Sequence, residues 1–137
     1  AIEGPLGAPV SGEDYRKNMV SIIDELIKLF PESKVVIQQP VWYSPNTQNG
    51  AKYLEEGLKR LQSYFPEIKS IVKSYASSHP GQVLMGDQSG FEYFRKNYLT
   101  DLVPEEGKQG IFYLHPNEKG AAQLGRFWAE AIYKAMK

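Results

Sequence analysis

Two histidines, sixteen carboxylates and no cysteine bound the chemistry open to this 137-residue chain. Without cysteine there are no disulfides, no thiolate nucleophile and no Cys-ligated zinc. The most informative local run is Tyr113-Leu114-His115-Pro116-Asn117-Glu118-Lys119-Gly120. Pro116 suits the first position of a helix, so His115 is expected directly before a helix N-terminus. Unpaired backbone N–H groups and the positive end of the helix dipole then favour a neutral imidazole that can accept a proton. On local chemistry alone the same placement better suits a histidine that does no more than cap the helix. His79, in the run Ser77–Gly81, falls between a helix and a strand start and reads as a surface loop residue. The two histidines are far apart and share no carboxylate spacing typical of metal ligands, so no metal site is expected. No Gly-rich phosphate loop follows a strand, so neither a nucleotide site nor any cofactor is expected.

The elements that must position His115 follow from periodicity. Residues 1–10 are rich in Gly, Pro and Ala and read as a loop. Ser11 can cap a helix near 13–30, whose apolar stripe is Met19, Ile22, Ile23, Leu26, Ile27 and Phe30. Lys34–Pro40 (KVVIQQP) suits a buried parallel strand near 34–39. Residues 41–50 form a loop. A helical pattern near 51–77 follows, and Pro66 either kinks it or opens a fresh helix. A second strand is expected near 82–86, then a short helix carrying Phe91, Phe94 and Tyr98. Residues 100–111 read as a polar loop, and a last helix near 117–136 begins at Pro116.

Helices alternating with strands imply an α/β domain with a parallel sheet. Two strands are few for an open sheet, which usually has about four to six. The pattern is that of the back half of a doubly wound domain, with a bare inner strand edge open to association. A homo-oligomer through that edge is one expectation. Trp42, Tyr43, Ser44 and Asn46 leave the carboxyl end of the first strand, where ligands of parallel sheets bind. Trp42, Tyr43 and Asn46 are therefore candidate substrate contacts, with ordinary loop packing as the alternative. Ser44 precedes Pro45 and lacks a Gly-flanked tight turn, which argues against a nucleophile.

Composition sets the remaining limits. Sixteen Lys and Arg balance sixteen Asp and Glu, so no net field recruits nucleic acid or an anionic membrane. An apolar share of 42% and a charged share of 23% fit a single globular domain over residues 1–137. No run of about 18 apolar residues marks a membrane span. No signal peptide is visible, and the compartment stays open.

His115-Pro116-Asn117-Glu118-Lys119-Gly120, followed by the helix GAAQLGRFWAEAI, resembles the last block of the SGNH/GDSL hydrolase family, Asp-x-x-His continuing Pro-Asn-x-x-Gly. AIEGPLGAPVSGEDYRKNM resembles the segment after that family's Gly-x-Asn-Asp block, and KVVIQQPVWYSPN its next core strand and outgoing loop. The resemblance spans essentially the whole chain. It implies the C-terminal half of a flavodoxin-like three-layer α/β/α fold with parallel strands. It also implies serine ester hydrolysis. A Ser of an N-terminal Gly-Asp-Ser block attacks the acyl carbonyl, a Gly and an Asn help hold the oxyanion, and the histidine is the general base.

Only that histidine maps here, onto His115. Residues 1–137 hold no Gly-Asp-Ser and no Gly-x-Asn-Asp block, so nucleophile and oxyanion donors are expected before Ala1, and this chain alone is expected to be inactive. The position three before His115 is Phe112 rather than Asp. Either a Ser–His dyad operates, or another group orients the ring: a backbone carbonyl, a water, or Asp87 or Asp101. Each of these aspartates is a weak candidate that better suits a turn or cap. The implied partners are an ester substrate, an acylated carbohydrate or lipid, and the missing N-terminal half. The aromatic, amide-rich loop 42–49 leans toward carbohydrate. Phe112 favours an alternative, a non-catalytic SGNH-like or flavodoxin-like binding or structural module.

Overall fold

The structure, a computed structural model, describes residues 10–48 and 52–137. The loop assigned to residues 1–10 therefore lies almost wholly outside the described residues, as do residues 49–51 at the expected loop–helix boundary. Helix α1 spans Gly12–Leu29, and Ser11 Oγ accepts the Asp14 N–H as its cap. Strand β1 is Val35–Ile37, helix α2 is Leu54–Tyr75 and strand β2 is Val83–Met85. Pro66 lies inside α2, which runs through it as one helix. The strands pair in parallel, Val35 opposite Val83 and Ile37 opposite Met85. Such pairing needs a crossover longer than a hairpin, and α2 supplies it. The chain is thus an α/β fold built on a two-stranded parallel pair.

Ile23 of α1, Ile37, Ile68 and Ile71 of α2, and Val83 are buried together and hold this unit. The helix stripe expected from the sequence is only partly covered. Ile22, Leu26, Leu29 and Phe30 on one side of α1 are 38–59% exposed.

Helix α3 spans Gly90–Asp101. The polar loop expected at 100–111 is absent. Leu102–Gly107 and Gly110–Pro116 are instead antiparallel strands β3 and β4 of a hairpin, turning at Lys108 and Gln109. The acidic run and Pro104 hid β3 from a propensity reading, yet proline is tolerated on an edge strand. Ile111-Phe112-Tyr113, bounded by Gly110 before it and Pro116 after it, is a strand signal. Gly110 adopts φ +88, the left-handed conformation that glycine supplies at a tight turn. Gly107 leaves room for the Phe112 ring, whose Cδ1 would lie 2.7 Å from an added Cβ.

Helix α4 spans Glu118–Ala135 and does not begin at Pro116, which closes β4. Asn117 is its cap, with Oδ1 accepting the Gly120 N–H at 3.0 Å. His115 is accordingly a strand residue, and the expected position directly against the helix N-terminus is corrected. Trp42, Tyr43, Leu58, Phe91, Phe94 and Leu102 form a second buried cluster, which ties the hairpin and α3 to the rest.

Candidate active site

The loop leaving the carboxyl end of β1 runs along the outer edge of β4. Ser44 N–H donates to Tyr113 O at 2.8 Å, and Tyr113 N–H donates to Ser44 Oγ at 2.7 Å. Asn46 Nδ2 donates to Ile111 O at 2.7 Å. The loop thus acts as an extra strand edge, and the hairpin sits on the side of the parallel pair from which β1 exits. Ser44, 5% exposed and engaged with β4, is a structural clamp.

His115 projects from β4 with its side chain 64% exposed. Its Nδ1 lies 2.9 and 3.0 Å from the two carboxylate oxygens of Glu105 on β3. Its backbone N–H donates to Glu105 Oε1 at 3.3 Å. The group on Nδ1 is therefore Glu105, and not Asp87, Asp101 or a backbone carbonyl. Glu105 was missed because it stands ten residues before His115, in a stretch read as loop.

The two aspartates do other work. Asp87 Oδ1 accepts the Ser89 N–H and Oδ2 the Gly90 N–H, both at 2.9 Å, which caps α3. Asp101 is fully buried and accepts hydrogen bonds from Tyr93 Oη and Lys119 Nζ, each at 2.7 Å, and from Thr100 Oγ1. Burial opposes its ionisation, but the hydrogen bonds from Lys119, Thr100 and Tyr93 outweigh that cost and hold its carboxyl below the usual carboxylate range. Residue 112 cannot stand in for an acid, because it is a phenylalanine, 1% exposed, whose ring packs over Gly107.

Asp101 also explains the sequence run after His115. Its carbonyl accepts the Asn117 N–H at 3.0 Å, and Asn117 Nδ2 donates to Thr100 O at 2.9 Å. Gly120 packs so close to that carbonyl that a Cβ would collide with it. Asn117 and Gly120 therefore dock the first turn of α4 on the α3–β3 junction, and the end of β4 that carries His115 is fixed from both sides.

Of the expected substrate contacts, Trp42 and Tyr43 are both 7% exposed and chiefly core. Trp42 packs against Tyr98, which packs edge-on to Tyr113. Trp42 and Asn46 border a shallow cleft of ≈ 310 Å³ with Tyr98, Ile111 and Tyr113. Tyr43 faces a different, apolar hollow of ≈ 380 Å³ with Tyr15, Tyr53 and Tyr64. The structure thus separates Tyr43 from Trp42 and Asn46, and neither hollow includes His115 in its lining. His79 lies at the far end of α2, with Nδ1 2.9 Å from Ser78 Oγ.

Comparison of the chain with protein-family models, with curated proteins and with solved structures finds no match.

Proposed function

We propose that this chain is part of a serine ester hydrolase of the SGNH kind, in which His115 is the general base. The observation that carries the proposal is the His115 ring itself. It is exposed, one nitrogen rests on a carboxylate, and the exposure leaves Nε2 for a reacting group. In acyl transfer Nε2 takes the proton of the attacking serine hydroxyl and then gives it to the departing alcohol. The rigid dock of β4 on α3 and α4 suits a group that must hold its geometry through both transfers. Phe112, the feature favouring a non-catalytic module, loses its weight once a carboxylate reaches His115 from another strand.

The accompanying fold is the C-terminal part of a flavodoxin-like three-layer domain. Two features support it: the parallel β1–β2 pair with its α2 crossover, and apolar stripes left exposed on two helices. Ile22, Leu26 and Leu29 form the stripe on α1, and Trp128 and Ile132, continued by Met136 at its C-cap, that on α4. In this proposal they cover further polypeptide that brings the serine and the oxyanion donors, or a second copy of the chain. The substrate is an acylated carbohydrate or lipid.

The test is hydrolysis of short p-nitrophenyl esters by the protein at its native length, with His115→Ala beside it. The expected result is turnover that His115→Ala lowers by several orders of magnitude. Near-normal turnover in the variant removes His115 from the mechanism.

A further inference from the structure

The β3–β4 register has one irregularity, and it falls at His115. Leu102 lies opposite Pro116 and Pro104 opposite Tyr113. A step of two residues along β3 thus faces a step of three along β4. That is a β-bulge, with its extra residue between Tyr113 and Pro116. Glu105 lies opposite Phe112, so these two side chains share one face of the hairpin, while Ile111 and Tyr113 take the other. Strict alternation would put His115 on the Tyr113 face, away from Glu105. The extra residue turns it onto the Glu105 face. It also takes the His115 amide out of the regular ladder, and Glu105 Oε1 accepts that N–H.

We infer that Glu105 is the positioning carboxylate of this site, brought to His115 by the bulge rather than by short spacing in sequence. This role rests on the hydrolase function proposed above. An ionised carboxylate can only accept hydrogen bonds, so Nδ1 carries the proton. The neutral ring then has its lone pair on Nε2, the nitrogen a general base must present. The two contacts to Nδ1 and the third to the backbone amide fix both the ring plane and the turn of the chain beneath it. Glu105 also stabilises the imidazolium formed when Nε2 takes a proton.

Heteronuclear NMR of the 137-residue chain, at a pH where the ring is neutral, reads the tautomer directly. The expected wild-type result is a proton on Nδ1, bonded to carboxylate. In Glu105→Leu the signal moves toward the Nε2–H tautomer that an unheld imidazole prefers, with the other backbone resonances in place. A wild-type ring with its proton on Nε2 overturns the inference, and that measurement needs no variant to fold. In the native-length protein, Glu105→Gln keeps the shape and loses the charge. It is expected to lower kcat by about 10²–10⁴-fold with KM little changed. Unchanged kcat also overturns the positioning role. An Nδ1–H ring in a protein that hydrolyses no ester supports the hold of Glu105 on the ring and counts against the ester reaction alone.

Discussion

Gly120→Ala sets two effects of opposite sign against each other. In a solvent-exposed helix, alanine is more favourable than glycine by about 1 kcal/mol. At Gly120 the new methyl meets the Asp101 carbonyl, a backbone group that cannot rotate away, and also lies 3.1 Å from Phe94 Cε1. The first turn of α4 must therefore withdraw. Overpacking of this kind costs about 1–3 kcal/mol. Withdrawal also stretches two hydrogen bonds, Asn117 N–H to Asp101 O and Asn117 Nδ2 to Thr100 O, each worth about 0.5–1.5 kcal/mol net. Clash and lost bonds outweigh propensity, and the expected net loss is about 3 kcal/mol. For a chain of this size that lowers Tm by roughly 10 °C. Gly125 is the internal control, because it lies in the same helix with nothing within 4 Å of its Cβ position. Gly125→Ala should raise stability by up to about 1 kcal/mol. Guanidinium unfolding of both variants measures the difference, as shifted midpoints at constant slope. If Gly120→Ala is as stable as Gly125→Ala, α4 does not dock on the α3–β3 junction as described.

Three further outcomes follow from named contacts. Asp101 has a folded-state pKa below its unfolded value, so its contribution is present above the unfolded pKa and is lost as pH falls through the folded one. The stability gap between wild type and Asp101→Asn should be full at neutral pH and close in acid, and a gap that ignores pH would contradict this. Asp87→Ala removes the α3 cap and should cost about 1 kcal/mol in denaturant unfolding. In the native-length protein its ester hydrolysis should stay intact, and a large loss of turnover would place Asp87 in the site after all. Sedimentation of the chain at low micromolar concentration should show self-association through the apolar α1 and α4 stripes, reduced by Leu29→Glu with Trp128→Glu. A wild-type monomer under these conditions would show that the stripes do not pair copies of the chain.

Local pattern sufficed where one short segment decides its own state. The apolar periodicity of 13–30 and 51–77 and the runs KVVIQQP and QVLMG were legible as α1, α2, β1 and β2. Parallel pairing followed from their alternation, because a helix between two strands leaves room for a crossover. His115 stood out by residue type and by the Pro, Asn and Gly after it. The meaning of Asn117 and Gly120 was not legible, since the cap and the close approach involve Thr100 and Asp101, in other elements. The stretch 100–111 misled for a related reason. Pro104, Glu105 and Glu106 have little strand propensity, and β3 exists because β4, itself held on its other edge by the 44–48 loop, supplies hydrogen-bond partners beside it. The hold of Glu105 on His115 was decided last and only in three dimensions. It needs a hairpin to bring residues ten apart together and one extra residue in β4 to turn the ring onto the right face. Side-chain facing in a strand alternates with period two, so a single bulge reverses which partners a residue can reach.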